Sequence, residues 1–349
     1  MIVGCHFATH GGFQFNSQMV TIPRLWWNFL ELGGNFGVDV FVLISGYFLI
    51  GSNKLHIKPI KIIKLWGQIV FYSIALFVVS ICLNRDSFSV RGIINGIFPI
   101  TFDQWWFAST YFVMYLIHPY LNRMLHSISK KEYQKLLIML LGIWSIIPTI
   151  TGTTFQSNKL IEFLFYYSIA GYIKLHGFQK KRTCKQWFLL WSIFSILTYL
   201  FSVVVMVIGT KNDLFLSYSL FFYSRNSILT IFRAISFFML FLNMKVKTSK
   251  VINRISACAF GVYLLHDSSL LRGILWNNVF HNASFQNTIF IIPYSIVVVV
   301  IVYLGCTLID FIRITYIEKA FLIFVDRYIE PIICKLETIV NKISIKVFD

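Results

Sequence analysis

Acidic residues are scarce. Asp and Glu together number 14 against 31 Lys and Arg, and all charged residues make up only 13% of the 349 positions. A chain this poor in charge and 57% hydrophobic cannot offer water a polar surface all round, which excludes a soluble globular protein of this length. Proline is limited to 7 residues, and no Pro-rich, Gly-rich or low-complexity linker sets off a soluble domain. The six cysteines, Cys5, Cys82, Cys184, Cys258, Cys306 and Cys334, show neither CxxC nor zinc-ligand spacing, and most lie in or beside apolar runs. That pattern fits packed thiols and argues against disulfide, metal and redox chemistry. A GxSxG elbow, a Walker loop, a GxGxxG turn and an HExxH helix are all missing, so soluble-type hydrolase, nucleotide-hydrolase and dehydrogenase chemistry have no support. No basic region followed by a small-residue cleavage site opens the chain.

What the chain does contain is apolar runs of membrane-spanning length, at 36 to 51, 64 to 83, 105 to 121, 135 to 151, 160 to 175, 187 to 209, 226 to 244, 256 to 272 and 288 to 313. Residues 1 to 9 read as the second half of one more helix, broken at Gly11-Gly12. The expected fold class is all-α: a polytopic transmembrane helix bundle of about ten spans, the first truncated at the N-terminus. Residues 1–316 form the transmembrane domain, and 317–349, alternating apolar and charged at helical spacing, an amphipathic tail on the inner leaflet. The 90 to 104 loop, too short and too broken by Gly and Pro to span, dips into the outer interface before Trp105 and Trp106.

Basic residues collect in alternate connections: Lys54, Lys58, Lys61 and Lys64; Arg123, Lys130, Lys131 and Lys135; Lys174, Lys180, Lys181, Arg182 and Lys185; Lys245, Lys247, Lys250 and Arg254. By the positive-inside rule this side is cytoplasmic, so the protein is a multi-pass cell-membrane protein with its C-terminus inside. The net charge of +17 therefore reflects topology and contact with membrane lipids, not a basic stripe with interleaved aromatics, and nucleic acid is not an expected partner.

Asp39, in GNFGVDVFVLISGY, is a carboxylate inside an apolar run; such a group must face protein or water, so it marks a site. Among the histidines, His6 at the end of an apolar helix is the best general base, and His10 lies one turn later on a similar face. No third ligand with matching spacing accompanies them, and Phe7 stands where a zincin needs Glu, so no metal is expected. His266 is followed by Asp267, but successive helical residues point about 100 degrees apart, which disfavours a direct pair. His118, before Pro119, reads as capping or interfacial packing, and His56, His126, His176 and His281 read as solvated loop residues. Lys58, Lys61 and Lys64 recur at i, i+3 and i+6 around a helix start at Pro59. They suit a phosphate-rich ligand and equally suit anionic lipid. The intramembrane acids Asp39, Glu162, Asp267 and Asp310 keep a transporter or flippase of glycan precursors as the rival reading, although no internal repeat supports it.

Four segments, GNFGVDVFVLISGYFLI (34 to 50), QWWFASTYFVMYLIHPYLN (104 to 122), FLFYYSIAGYIKL (163 to 175) and ISACAFGVYLLHDS (255 to 268), resemble in order and spacing the membrane-embedded acyltransferase 3 family. The resemblance covers almost the whole chain. It implies an O-acetyltransferase that moves acetyl from acetyl-CoA to a hydroxyl of a capsular, exopolysaccharide or other envelope glycan, free or lipid-linked. No cofactor would be tightly bound. By register His6 matches the family's catalytic histidine, and the Arg that precedes it in the family would fall before Met1. Lys58, Lys61 and Lys64 stand where the family carries a basic motif toward the CoA side; Tyr263 and His266 match its terminal motif. The resemblance further implies that Asp39 orients the His6 imidazole. Ser45, Trp106 and Tyr111 are candidates for lining the acyl tunnel, with core packing as the alternative for each.

Overall fold

The computed structural model describes residues 1–85, 88–178, 182–333 and 335–336. Lys180, Lys181, Cys334 and the part of the expected 317–349 tail that follows Leu336 lie outside the described residues. The described chain is helical, and six of its stretches are long and apolar enough to cross a membrane: Ile22–Leu49, Pro59–Leu83, Lys130–Thr151, Cys184–Gly209, Asp213–Asn243 and Ile291–Ile333. The protein is a polytopic helical bundle integral to a membrane. The other expected runs are helical too, but shorter or more polar.

Two compact units make up the chain. The first comprises Met1–Asn53, Val113–Thr248 and Leu271–Tyr303. It begins with α1 (Ile2–His10), which stops at Gly11, and Gly12 follows with a φ of 71° that suits glycine. Helix α2 (Ile22–Glu31) was not anticipated. Thr21 caps it by accepting from the Arg24 N–H at 3.4 Å, and Pro23 sits in its first turn, where a missing N–H costs nothing. Its apolar residues lie on one face without forming a long run of their own, so the sequence marks no separate helix there.

Helix α3 (Gly34–Leu49) is the centre of this unit and packs on α1, on α9 (Lys159–His176) and on α11 (Ile228–Asn243). Glycine makes that possible. Gly34 and Gly37 lie against Cys5 and Ile2 of α1, and a Cβ at Gly46 would come within 3.1 Å of both Ala170 Cβ and Tyr167 Cα on α9. The carbonyls freed at the end of α3 are taken by the second half of α6 (Trp106–Ser127): Asn122 Nδ2 donates to Leu49 O and Ser52 O, both at 2.8 Å, and His126 Nε2 donates to Ile50 O at 2.8 Å. His126 is thus a capping residue, not merely a solvated one. Helix α7 (Lys130–Leu141) opens with a Ser129–Glu132 capping box and runs through a π turn, Gly142–Ile146, into α8 (Ile147–Thr151). Helix α10 (Cys184–Gly209) opens with a Thr183–Gln186 capping box and lies along α11. His176, expected in a loop, ends α9 against Tyr133 and Tyr172, where burial, aided by the Lys130 charge, lowers its imidazole below the ordinary range.

The second unit comprises Lys54–Phe112, Ser249–Leu270 and the chain from Leu304. Its axis is α4 (Pro59–Leu83), with α5 (Val90–Ile97) and α13 (Ala259–His266) packed on it. The segment expected only to dip at 90 to 104 is therefore partly a helix, capped by Ser89 Oγ accepting from the Gly92 N–H at 3.0 Å. The run expected from 256 to 272 is interrupted: α12 (Lys250–Ala257) ends at Cys258, and α13 stops at His266. At the other end, α14 (Ile291–Ile312) continues through a π turn, Arg313–Glu318, and α15 (Lys319–Phe324) as far as Ile333. Position 316 is not a helix boundary.

Candidate functional site

In the first unit, His6 is half-buried on α1, its ring centroid 5.3 Å from that of His10 one turn on. A neighbouring face of α1 carries Cys5 and Thr9. Both hydroxyl and thiol donate to Glu31 of α2, Thr9 Oγ1 to Oε1 at 2.8 Å and Cys5 Sγ to Oε2 at 3.3 Å. Glu31 drew no attention in the sequence because it closes a helix that the hydropathy pattern did not reveal.

Asp39 is fully buried on α3, and its charged surroundings come from α9, α11 and the loop before α11: Arg225, Glu162 and Arg233, with the Tyr166 hydroxyl beside it. Neither carboxylate oxygen accepts a hydrogen bond from a described residue. Tyr166 donates instead to the Arg225 carbonyl at 2.7 Å, and Arg225 forms its ion pair with Glu162 at 2.7 Å. Asp39 accordingly accepts no hydrogen bond from the His6 imidazole among the described residues. Helix α3 turns the acid toward α9 and α11 because its glycines seat the opposite flank on α1.

Arg233 is the residue that sequence reasoning missed. It lies in the middle of α11, 1% exposed, with its guanidinium 4.4 Å above the Phe36 ring and Nη2 donating to Leu32 O at 2.8 Å. Its Nε and Nη1 have no partner among the described residues, and neither do the Asp39 oxygens within its electrostatic reach. Phe36 and Asp39 are i and i+3 on α3, so one guanidinium covers the ring and opposes the acid together. Ser45, two turns further along α3, is half-buried.

The second unit holds the remaining expected residues. Phe107 gathers four aromatic rings: Trp106 at 6.0 Å, Tyr111 stacked at 6.0 Å, Phe260 at 6.3 Å and Tyr263 edge-on at 5.2 Å. His266 stands edge-on to Tyr263 at 6.4 Å, 1% exposed. Its Nδ1–H donates to the Val262 carbonyl, so Nε2 is the nitrogen able to take up a proton. Trp106 and Tyr111, expected as lining candidates, and Tyr263 and His266, expected from the terminal motif, therefore belong to one aromatic cluster. Of the lysines, Lys58 forms the N-cap of α4, and Lys61 is exposed one turn on. Lys64 is not simply a surface cation, because its Nζ is 2.7 Å from Glu318 Oε1.

The profile of the acyltransferase 3 family, described as an acyltransferase domain, matches residues 1–309. The chain belongs to that family. No curated protein and no solved structure matches it. The matched segment contains every site residue anticipated above, from His6 to His266, and ends just before the acid, Asp310, that opens the buried charge network of the second unit. This membrane acyltransferase thus carries acid–base groups in both units: a histidine pair and the Asp39–Arg233 cluster in the first, His266 with its aromatic shell in the second.

Proposed function

We propose that this acyltransferase moves an acetyl group from acetyl-CoA on the cytoplasmic side to a hydroxyl of an envelope glycan or its lipid-linked precursor. The observation that carries the reading is the cationic turn at the start of α4: Lys58, Lys61 and Lys64 repeat every three residues where a helix of spanning length begins. A phosphate-rich donor that cannot cross a bilayer needs such a place to rest its charge. His6 takes the proton of the attacking hydroxyl, the oxygen adds to the thioester carbonyl, and the carbon–sulfur bond breaks to release CoA as its thiol. Asp39 and Arg233 act on this step through the packing of α3 against α1. Trp106, Tyr111, Tyr263 and His266 supply an aromatic wall against which a thioester arm or a sugar ring can lie, and Ser45 is a further lining candidate.

The test is incorporation of labelled acetyl from acetyl-CoA into envelope polysaccharide. His6→Ala is expected to lower it about 100-fold or more at unchanged protein level. Full incorporation by that variant would remove His6 from the reaction, and no incorporation by the unmodified chain from any acyl-CoA would remove the donor assignment.

A further inference from the structure

Beyond residue 309 the second unit builds a chain of charges that the family match does not include. Tyr72 Oη donates to Asp310 Oδ1 at 2.6 Å, Arg313 Nε donates to the same oxygen at 2.6 Å, Arg313 Nη1 donates to Glu318 Oε2 at 2.8 Å, and Lys64 Nζ meets Glu318 Oε1 at 2.7 Å. Glu318 thus sits between two cations, one oxygen to each, as a phosphate would.

The register that puts it there is tight. A Cβ at Gly67 would lie 2.7 Å from the Phe321 ring, so glycine at 67 lets the ring seat in its present place on α4. Lys64 and Gly67 are i and i+3, as are Glu318 and Phe321, and the seated ring brings acid and lysine face to face. The site opens on one side only: the Lys64 side chain is 51% exposed, whereas Arg313 and Glu318 are 5% and 8% exposed. A cavity of about 210 Å³ adjoins it, walled by Trp66, Phe71 and Phe321 and closed by Lys64, Arg313 and Glu318. Lys64 and Arg313 balance Asp310 and Glu318, so the group is neutral as it stands and carries one net positive charge once Glu318 is out of it. Asp310, held by Tyr72, keeps Arg313 in place throughout.

We infer that Lys64 and Arg313 form a phosphate-binding site which Glu318 fills from within the chain, and that an incoming phosphate group displaces Glu318 from it. The phosphate has two sources, the nucleotide end of acyl-CoA, which rests on the function proposed above, and the headgroup of an anionic lipid, which does not. Displacement by either leaves Lys61 and Lys58, one and two turns before Lys64, to hold further negative charge.

The full chain in nanodiscs distinguishes them. In one arm, coenzyme A is titrated in phosphatidylcholine discs; in the other, retention of phosphatidylglycerol is measured without coenzyme A. Glu318→Gln is expected to tighten binding about threefold to tenfold in one arm, which names the source. Lys64→Gln should weaken binding in that arm and cancel the gain when combined with Glu318→Gln. Glu318→Gln with an unchanged unfolding temperature and no tightening in either arm overturns the inference. Should Glu318→Gln fail to fold, Lys64→Gln alone decides, since unchanged binding in both arms overturns it equally. Loss of acetyl transfer in His6→Ala is read independently, so failure of the phosphate site and failure of the donor reading remain distinct.

Discussion

Asp39 and Arg233 are two buried ionisable groups of opposite sign with no direct bond, each with polar atoms that no described residue satisfies. An uncompensated buried ion costs several kcal/mol, so Asp39 depends on the fields of Arg225 and Arg233, and Arg233 in part on that of Asp39. Removing one alone should be worse than removing both. Arg233→Met is expected to cost about 2–4 kcal/mol of stability. In the Asp39→Asn background the same change should cost at least about 1 kcal/mol less, a coupling read by thermal or denaturant unfolding in detergent across the double-mutant cycle. Asp39→Asn itself should lower acetyl transfer about tenfold or more while the bundle stays folded; full transfer would leave Asp39 as a buried polar contact. The acid was legible in the sequence because a lone carboxylate stands out in an apolar run. Its buried cationic neighbour was not, because Arg233 is 194 positions away and a hydropathy average over ILTIFRAISFF absorbs a single arginine. The partner of a buried charge is a fact of packing that no local window contains.

At the scale of the helix, α3 depends on a cap supplied from elsewhere. Asn122 and His126 satisfy three carbonyls that α3 and the turn after it leave open, and Tyr167 in turn donates to Asn122 Oδ1 at 2.6 Å. Asn122→Ala should destabilise the protein by about 1–3 kcal/mol, measured by thermal unfolding, since two part-buried hydrogen bonds and the partner of the buried Tyr167 hydroxyl are lost. Gly46→Val forces a branched side chain between α3 and α9 and should cost about 1–3 kcal/mol or more, whereas Gly96→Ala, with nothing within 4 Å, should be near neutral. Helix existence was readable from periodicity and length for the long runs. Helix α2 was not, being short and amphipathic, nor was the break at Cys258, where neither Pro nor Gly announces the stop. The Ser89 cap of α5 was present in the sequence, but Gly92 and Gly96 masked it as a broken loop.

For the molecule as a whole, fold class was accessible from composition alone, because a chain with so few charges has only the membrane as solvent. Orientation rests on where Lys and Arg fall, and it makes a firm expectation. With native cysteines replaced, Phe88→Cys should react with a membrane-impermeant maleimide in intact cells, and Lys54→Cys should react only after permeabilisation. The reverse pattern would turn the protein over and move the donor site to the wrong compartment. What the sequence left unread at this scale is the end of the chain. The last span reads as stopping near 313 because charged residues begin there, yet Asp310, Arg313 and Glu318 neutralise one another and Lys64, so the helix runs on. Their pairing also divides inheritance. Lys64 lies within the family-matched segment and Glu318 beyond it, so the family profile covers the lysine's position and not the acid's. A lineage that kept the lysine and lost the acid would keep the same bundle with its cation uncovered, and descendants of one ancestral acyltransferase would sort into two groups by the residue at this single position.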